Sequence, residues 1–193
     1  MAEVNTNATL LSSAENIADV SSITNNGEVK ISEGTLSKTI GGKKLTFAAG
    51  ANNSAEQTVE ELNVEGAFSN SNNLTVSKTL TNSGTITNTG KLTLSGGSAT
   101  TPMVNGGTIE GAGELAISGN TQNNSSITQG TLTVTESGKL TNTSNLTVNT
   151  ALNNSGEIAN NSQMNVNATT TNGGKISGTD KPQKFFTIRR TKK

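Results

Sequence analysis

The sequence predicts an all-β fold, a parallel β-helix (β-solenoid) with coils of about 18 residues. Three observations carry this. An apolar residue returns at every sixth position, as in Leu62, Phe68, Leu74, Leu80, Ile86 and Leu92, and again in Val134, Leu140, Leu146, Leu152, Ile158 and Met164. Six is a multiple of the strand period of two and not of 3.6, so a helix would spread these residues around its surface. A paired apolar step recurs three beats later, from Leu74-Thr-Val76 to Leu92-Thr-Leu94 and from Leu146-Thr-Val148 to Met164-Asn-Val166. Three six-residue sides therefore close one coil. Finally, Asn, Thr and Ser supply 80 of 193 residues, and only 30% of the chain is hydrophobic. That is too little for a compact globule but enough for stacked coils that share one thin core.

Along the chain, three regions differ. Residues 1–27 lack the beat and form an N-terminal cap or attachment segment. Within them Ser12-Ser13-Ala14-Glu15 reads as a capping box opening a short helix, with Ile17 and Val20 on one face. Residues 28–178 form the solenoid, roughly nine coils. Residues 179–193 leave the pattern at Pro182 and end in a basic aromatic tail. Inside the solenoid, residues 73–94 match residues 145–166 at ten of 22 positions, an offset of four whole coils. The phase slips near Ser95–Val104, where Gly96-Gly97-Ser98 and Pro102 mark an insertion at a coil corner.

Corner chemistry follows the beat. Ser83-Gly84, Thr89-Gly90, Ser137-Gly138 and Ser155-Gly156 each fall shortly before an apolar residue, where glycine is expected to supply positive φ. Asn82 and Asn154, and Asn88 and Asn160, occupy like positions in the repeat. They are read either as turn formers or as members of side-chain amide ladders. Phe47 and Phe68 lie on apolar beats and belong in the core.

Composition also limits function. There is no Cys, His, Trp or Tyr. Zinc, copper and iron sites lose their usual ligands, and the commonest general base is missing. The chain has two Asp and no calcium-type Asp-Gly repeat. The Gly-Gly pairs lack a following Lys-Ser/Thr, so no phosphate loop is read. No catalytic, cofactor-binding or metal-binding residue is assigned. The carboxylates that a polysaccharide-degrading solenoid would use are Glu110, Glu114, Glu136 and Glu157, with Glu110 and Glu114 the closest pair. No apolar run reaches the roughly 20 residues of a membrane span. The start, Met1-Ala2-Glu3-Val4-Asn5, does not read as a secretory signal.

Net charge is zero but ordered along the chain. Residues 1–66 hold nine acids and four lysines, and residues 175–193 hold seven bases and Asp180. The tail residues Phe185, Phe186, Ile188, Arg189, Arg190, Lys192 and Lys193 are the expected docking site for a protein partner. That partner is another copy, with a homotrimer as one form of self-association, or a capsid, tail or anchor protein. Nucleic acid is disfavoured because the rest of the chain offers no basic face. Glycan contact would lack an aromatic platform.

The segments LTNSGTITNTGKLTLSGG (80–97) and TLTVTESGKLTNTSNLTVNTALNNSGEIAN (131–160) resemble the β-helical repeats of filamentous haemagglutinin-type adhesins, and also the solenoid segments of phage fibre and tailspike proteins. The resemblance covers roughly residues 60–176. It implies a right-handed coil, although three six-residue sides per coil are also the left-handed hexapeptide period. The short length and the start of the chain shift the expectation toward a non-enzymatic virion fibre or decoration component, made in the host cytoplasm. A secreted adhesin at the cell surface is the alternative, and a polysaccharide-degrading β-helix the second alternative.

Overall fold

The structure, a computed structural model, describes residues 1–179. It is an all-β parallel solenoid of about ten coils, each near 18 residues. One coil shows the plan. Leu62-Asn63-Val64 forms the first side, Phe68-Ser69-Asn70 the second and Leu74-Thr75-Val76 the third, and the chain returns to the first side at Leu80. The first and third residues of each triplet point inward, the middle one outward, as the pleat requires. Each side pairs in parallel register with the same side of the next coil, so inward residues form six axial columns.

The column through Leu10, Val29, Leu45, Leu62 and Leu80 continues through Met103, Thr121, Leu140, Ile158 and Ile176. A second joins Phe68, Ile86, Ile109, Ile127, Leu146 and Met164, and a third joins Leu74, Leu92, Leu115, Leu132, Leu152 and Thr170. The six-residue beat is these three columns visited in turn. Phe47 and Phe68 are buried and stack with ring centroids 4.3 Å apart, which adds about 0.5–1.5 kcal/mol beyond area burial.

Coil length varies where the sequence slips. Leu92 stacks on Leu115, a step well above the ordinary coil, because the insertion at 95–102 carries an exposed turn, 98–101, closed by the Ser98 N–H donating to the Thr101 carbonyl. The next step of this column, Leu115 to Leu132, is shorter than an ordinary coil, and the one after it, Leu132 to Leu152, is longer. These irregularities add up to one whole side. The column from Leu74 therefore reaches Leu152 four coils later, not Leu146, which stacks on Ile127 instead. The matching segments 73–94 and 145–166 keep the same beat but lie on different sides of the rod.

Stacking already begins inside residues 1–27. Thr9–Ser12 pairs with Glu28–Ile31, and Ala2–Val4 pairs with Ile23–Asn25. The helix α1 (Ala14–Asp19) replaces a strand on the second side and buries Ala14 and Ile17 near Leu36. The helix begins one residue later than the capping box predicts. Ser13 is the N-cap and accepts from the Asn16 N–H at 3.3 Å, so Glu15 falls in the first turn and cannot close the box. There its charge still favours the helix N-terminus. Val20 is the C-cap and only half-buried.

The corner glycines are present for a reason other than positive φ. Gly84, Gly90, Gly138 and Gly156 are not in the left-handed region. They sit against the backbone of the neighbouring coil. A Cβ on Gly84 would lie 2.1 Å from the Gly66 carbonyl oxygen. At these four positions the stacked corners approach too closely for a side chain.

Candidate functional site

The interior of the rod is where chemistry and fold meet most densely. Each of the three companion columns switches between apolar and amide residues. On the first side, Ile31, Phe47 and Val64 give way to Asn82, Asn105, Asn123, Asn142 and Asn160. Each amide Nδ2 donates to the next Oδ1, at 2.9, 2.9, 2.8 and 2.7 Å down the column. A second ladder runs Asn53, Asn70 and Asn88 at 2.9 Å per step. Its next rung is Gly111, which has no side chain and adopts φ +120°. The longer Gln129, one coil further on, reaches past that rung to accept from Asn88 Nδ2 at 3.0 Å. A third ladder pairs Asn154 with Asn172 at 2.7 Å. Asn82 and Asn154 therefore belong to different ladders, as do Asn88 and Asn160, because the repeat is rotated by one side. These inward asparagines act as stacking groups, and among the described residues the only non-glycine with positive φ is Asn7.

Outside, charge gathers on the first side. Lys44 pairs with Glu28 at 3.3 Å, Lys30 with Glu65 at 2.7 Å, and Glu157 lies between Lys139 at 3.3 Å and Lys175 at 3.9 Å, one coil either way. Burial pushes the Glu28 carboxyl up. Hydrogen bonds from Thr46 and Thr9 and the Lys44 ammonium outweigh this and hold it below the usual carboxylate range. The Glu60 carboxyl is lowered by its hydrogen bond to Lys78, 2.8 Å away. The ion pairs between partly exposed groups tie coils together, neighbouring ones except for Lys30–Glu65, which spans two, and each is worth at most about 1 kcal/mol.

The four carboxylates singled out by sequence are not brought together. Glu114 is half-buried and paired with Lys91 at 3.3 Å. Glu157 is held by its two lysines. Glu136 is exposed at a corner of another coil. Glu110 is exposed on the second side, and Glu114 begins the third side around the corner from it.

Glu110 instead lines a shallow notch of about 360 Å³ with Thr87, Gly111, Ala112, Thr128, Gly130, Asn149 and Thr150. The notch has a simple cause. Between the second and third sides the corner at Gly130 is one residue shorter than the corners of the coils on either side, so the wall retreats there. The short spacing from Leu115 to Leu132 is the sequence signal for it. Hydroxyls, an amide and one carboxylate can hydrogen-bond a small polar group there.

Among the described residues, no group of three or more His, Cys, Asp or Glu is placed to hold a metal ion, and no helix is long and apolar enough to cross a membrane. The predicted docking residues Phe185, Phe186, Ile188, Arg189, Arg190, Lys192 and Lys193 lie outside the described residues. Comparison with protein families, with curated proteins and with solved structures finds no match to this chain. The fold thus defines the class: a β-solenoid repeat protein.

Proposed function

We propose that this chain is a non-enzymatic structural rod, a virion fibre or decoration-type component that attaches through a terminal segment. The observation that supports this most is the continuous parallel stack from Thr9 to Gly178, in which sequence order is axial order. The acidic first third and the basic stretch 175–193 therefore belong to opposite ends of the sequence that builds the rod. Short polar side chains cover most of the outer wall, as suits a rod exposed to solvent. In the tail, Phe185, Phe186 and Ile188 supply an apolar anchor for a protein surface, and Arg189, Arg190, Lys192 and Lys193 supply charges that pair with acids around it.

Deleting residues 182–193 tests this. The far-ultraviolet spectrum of the rod stays unchanged, and incorporation into the assembly is lost. Normal incorporation of the truncated chain overturns the docking role. The secreted-adhesin reading is favoured by the repeats at 80–97 and 131–160. Secretion of the native gene product, with the rod displayed on the cell surface, would establish it over the virion reading.

A further inference from the structure

The sequence contains three Asn-Gly dipeptides, at 26–27, 105–106 and 172–173. In an Asn-Gly pair the glycine N–H faces no side chain and can attack the preceding amide carbon. We propose that Asn26 is a site of spontaneous deamidation in the folded protein, and that the amide ladder protects Asn105 from the same reaction. The reagent is water alone. The Gly27 nitrogen forms a bond to Asn26 Cγ, the Cγ–Nδ2 bond breaks, and ammonia departs carrying the Gly27 amide proton. Water then opens the cyclic imide at either carbonyl, leaving an aspartate or an isoaspartate at position 26.

The three sites differ in how free the amide is. Asn26 is exposed, in the bend between Ile23–Asn25 and Glu28–Ile31, and its Nδ2 makes only a long 3.4 Å contact to Glu3 Oε1. Asn105 is fully buried, accepts from Asn82 at 2.9 Å and donates to Asn123 at 2.9 Å. Both bonds must break before its Cγ can turn toward Gly106. Asn172 is exposed, but it accepts from Asn154 at 2.7 Å, and the Gly173 N–H donates to the Asn154 carbonyl at 2.8 Å, which holds the nucleophile. The expected order is Asn26 first, Asn172 next and Asn105 last.

The labile pair is imposed by packing. A Cβ at position 27 would lie 2.3 Å from the Asn5 carbonyl oxygen and 2.4 Å from that of Ala8, so no other residue fits there. The product also matters. It sets a carboxylate against Glu3 on the strand Ala2–Val4, whose one strand partner among the described residues is Ile23–Asn25. Like charges facing each other at that distance disfavour the pairing, so deamidation loosens the first strand.

The test ages the full chain, native and in urea, in mildly alkaline buffer, followed by trypsin and mass spectrometry. Cleavage after Lys30, Lys91, Lys139 and Lys175 places the three sites in separate peptides, and fragmentation assigns the residue. In the native chain Asn26 reacts at least about tenfold faster than Asn105, about 1.36 kcal/mol in barrier. In urea the rates at Asn105 and Asn26 converge. Equal native rates at the two sites, or an inert Asn26 in a native chain whose unfolded form reacts, overturn the proposal. Separately, Asn26→Asp should speed hydrogen exchange at Glu3 and Val4, and Glu3→Gln in the same chain should restore it. An unchanged exchange rate overturns the loosening.

Discussion

Replacing Asn123 with alanine tests whether the amide ladder holds the coils together. Asn123 Nδ2 donates to Asn142 Oδ1 at 2.8 Å, to the Ser125 carbonyl at 2.8 Å and to the Asn145 carbonyl at 3.1 Å. Its Oδ1 accepts from Asn105 Nδ2 at 2.9 Å. Truncation therefore orphans one buried donor above and one buried acceptor below, in addition to the Ser125 carbonyl, while the Asn145 carbonyl keeps the Ile127 N–H at 2.9 Å. At about 1–3 kcal/mol for each buried amide group left without a partner, the two side chains alone predict a loss of about 2–6 kcal/mol. Asn172→Ala is the internal comparison. It removes one acceptor from Asn154, whose Nδ2 keeps the Lys175 carbonyl at 3.2 Å, at an exposed rung. That change should cost about 1 kcal/mol or less. The assay is urea unfolding followed by far-ultraviolet circular dichroism, with the midpoint and slope fitted for each variant. A double-mutant cycle with Asn105→Ala should show that the second truncation costs less than the first. If Asn123→Ala is no worse than Asn172→Ala, the ladder is not a stabilising element and the reasoning fails.

Three further outcomes follow. Thr121 lies in the apolar column between Met103 and Leu140, and its buried hydroxyl has no hydrogen-bond partner. Thr121→Val should raise the unfolding free energy by about 1 kcal/mol, and a loss in the same urea assay would show that the hydroxyl is satisfied. Gly84→Ala should cost about 3 kcal/mol or more, since its Cβ would meet the Gly66 carbonyl at 2.1 Å. Gly173→Ala, with open space around the new methyl, should be close to neutral, and equal losses at the two sites would refute the stacking explanation. Glu28 has its carboxyl held below the unfolded value, so its contribution is present above the unfolded pKa and lost as pH falls through the folded one. Wild-type stability should therefore drop faster than that of Glu28→Gln on acidification below the ordinary glutamate range, and parallel curves would contradict the assigned contacts.

The wall of the rod is legible in the sequence, and much of its interior is not. Leu62, Phe68 and Leu74 announce the three sides because leucine-class residues at a beat of six suit inward strand positions and no helix face. Thr121 and Thr170 are silent because threonine is equally at home outside a strand, yet both stand in core columns and are buried. The match between residues 73–94 and 145–166 is real, but sequence does not show that irregular coils rotate it by one side. Only the register of Leu152 against Leu132 reveals that. The asparagine spacing makes the ladders one of two readings. Gln129 is missed, because its role depends on the empty rung at Gly111. The corner glycines are located by sequence, but positive φ is the wrong reason for them, since crowding by a neighbouring coil leaves no local mark at Gly84. The notch at Glu110 arises from one missing residue in a single coil, which a tolerant reading of coil length absorbs.

Pulsed electron spin resonance on spin-labelled cysteine pairs tests the stacked coil most directly, because the chain has no native cysteine. Thr58 and Thr133 share one outward column on the third side and are four coils apart, through Thr75, Thr93 and Ala116. At about 4.8 Å per coil, the Thr58→Cys, Thr133→Cys pair predicts a backbone separation of about 19 Å and a narrow distance distribution. A broad distribution centred well beyond that value would mean that the coils do not stack as described.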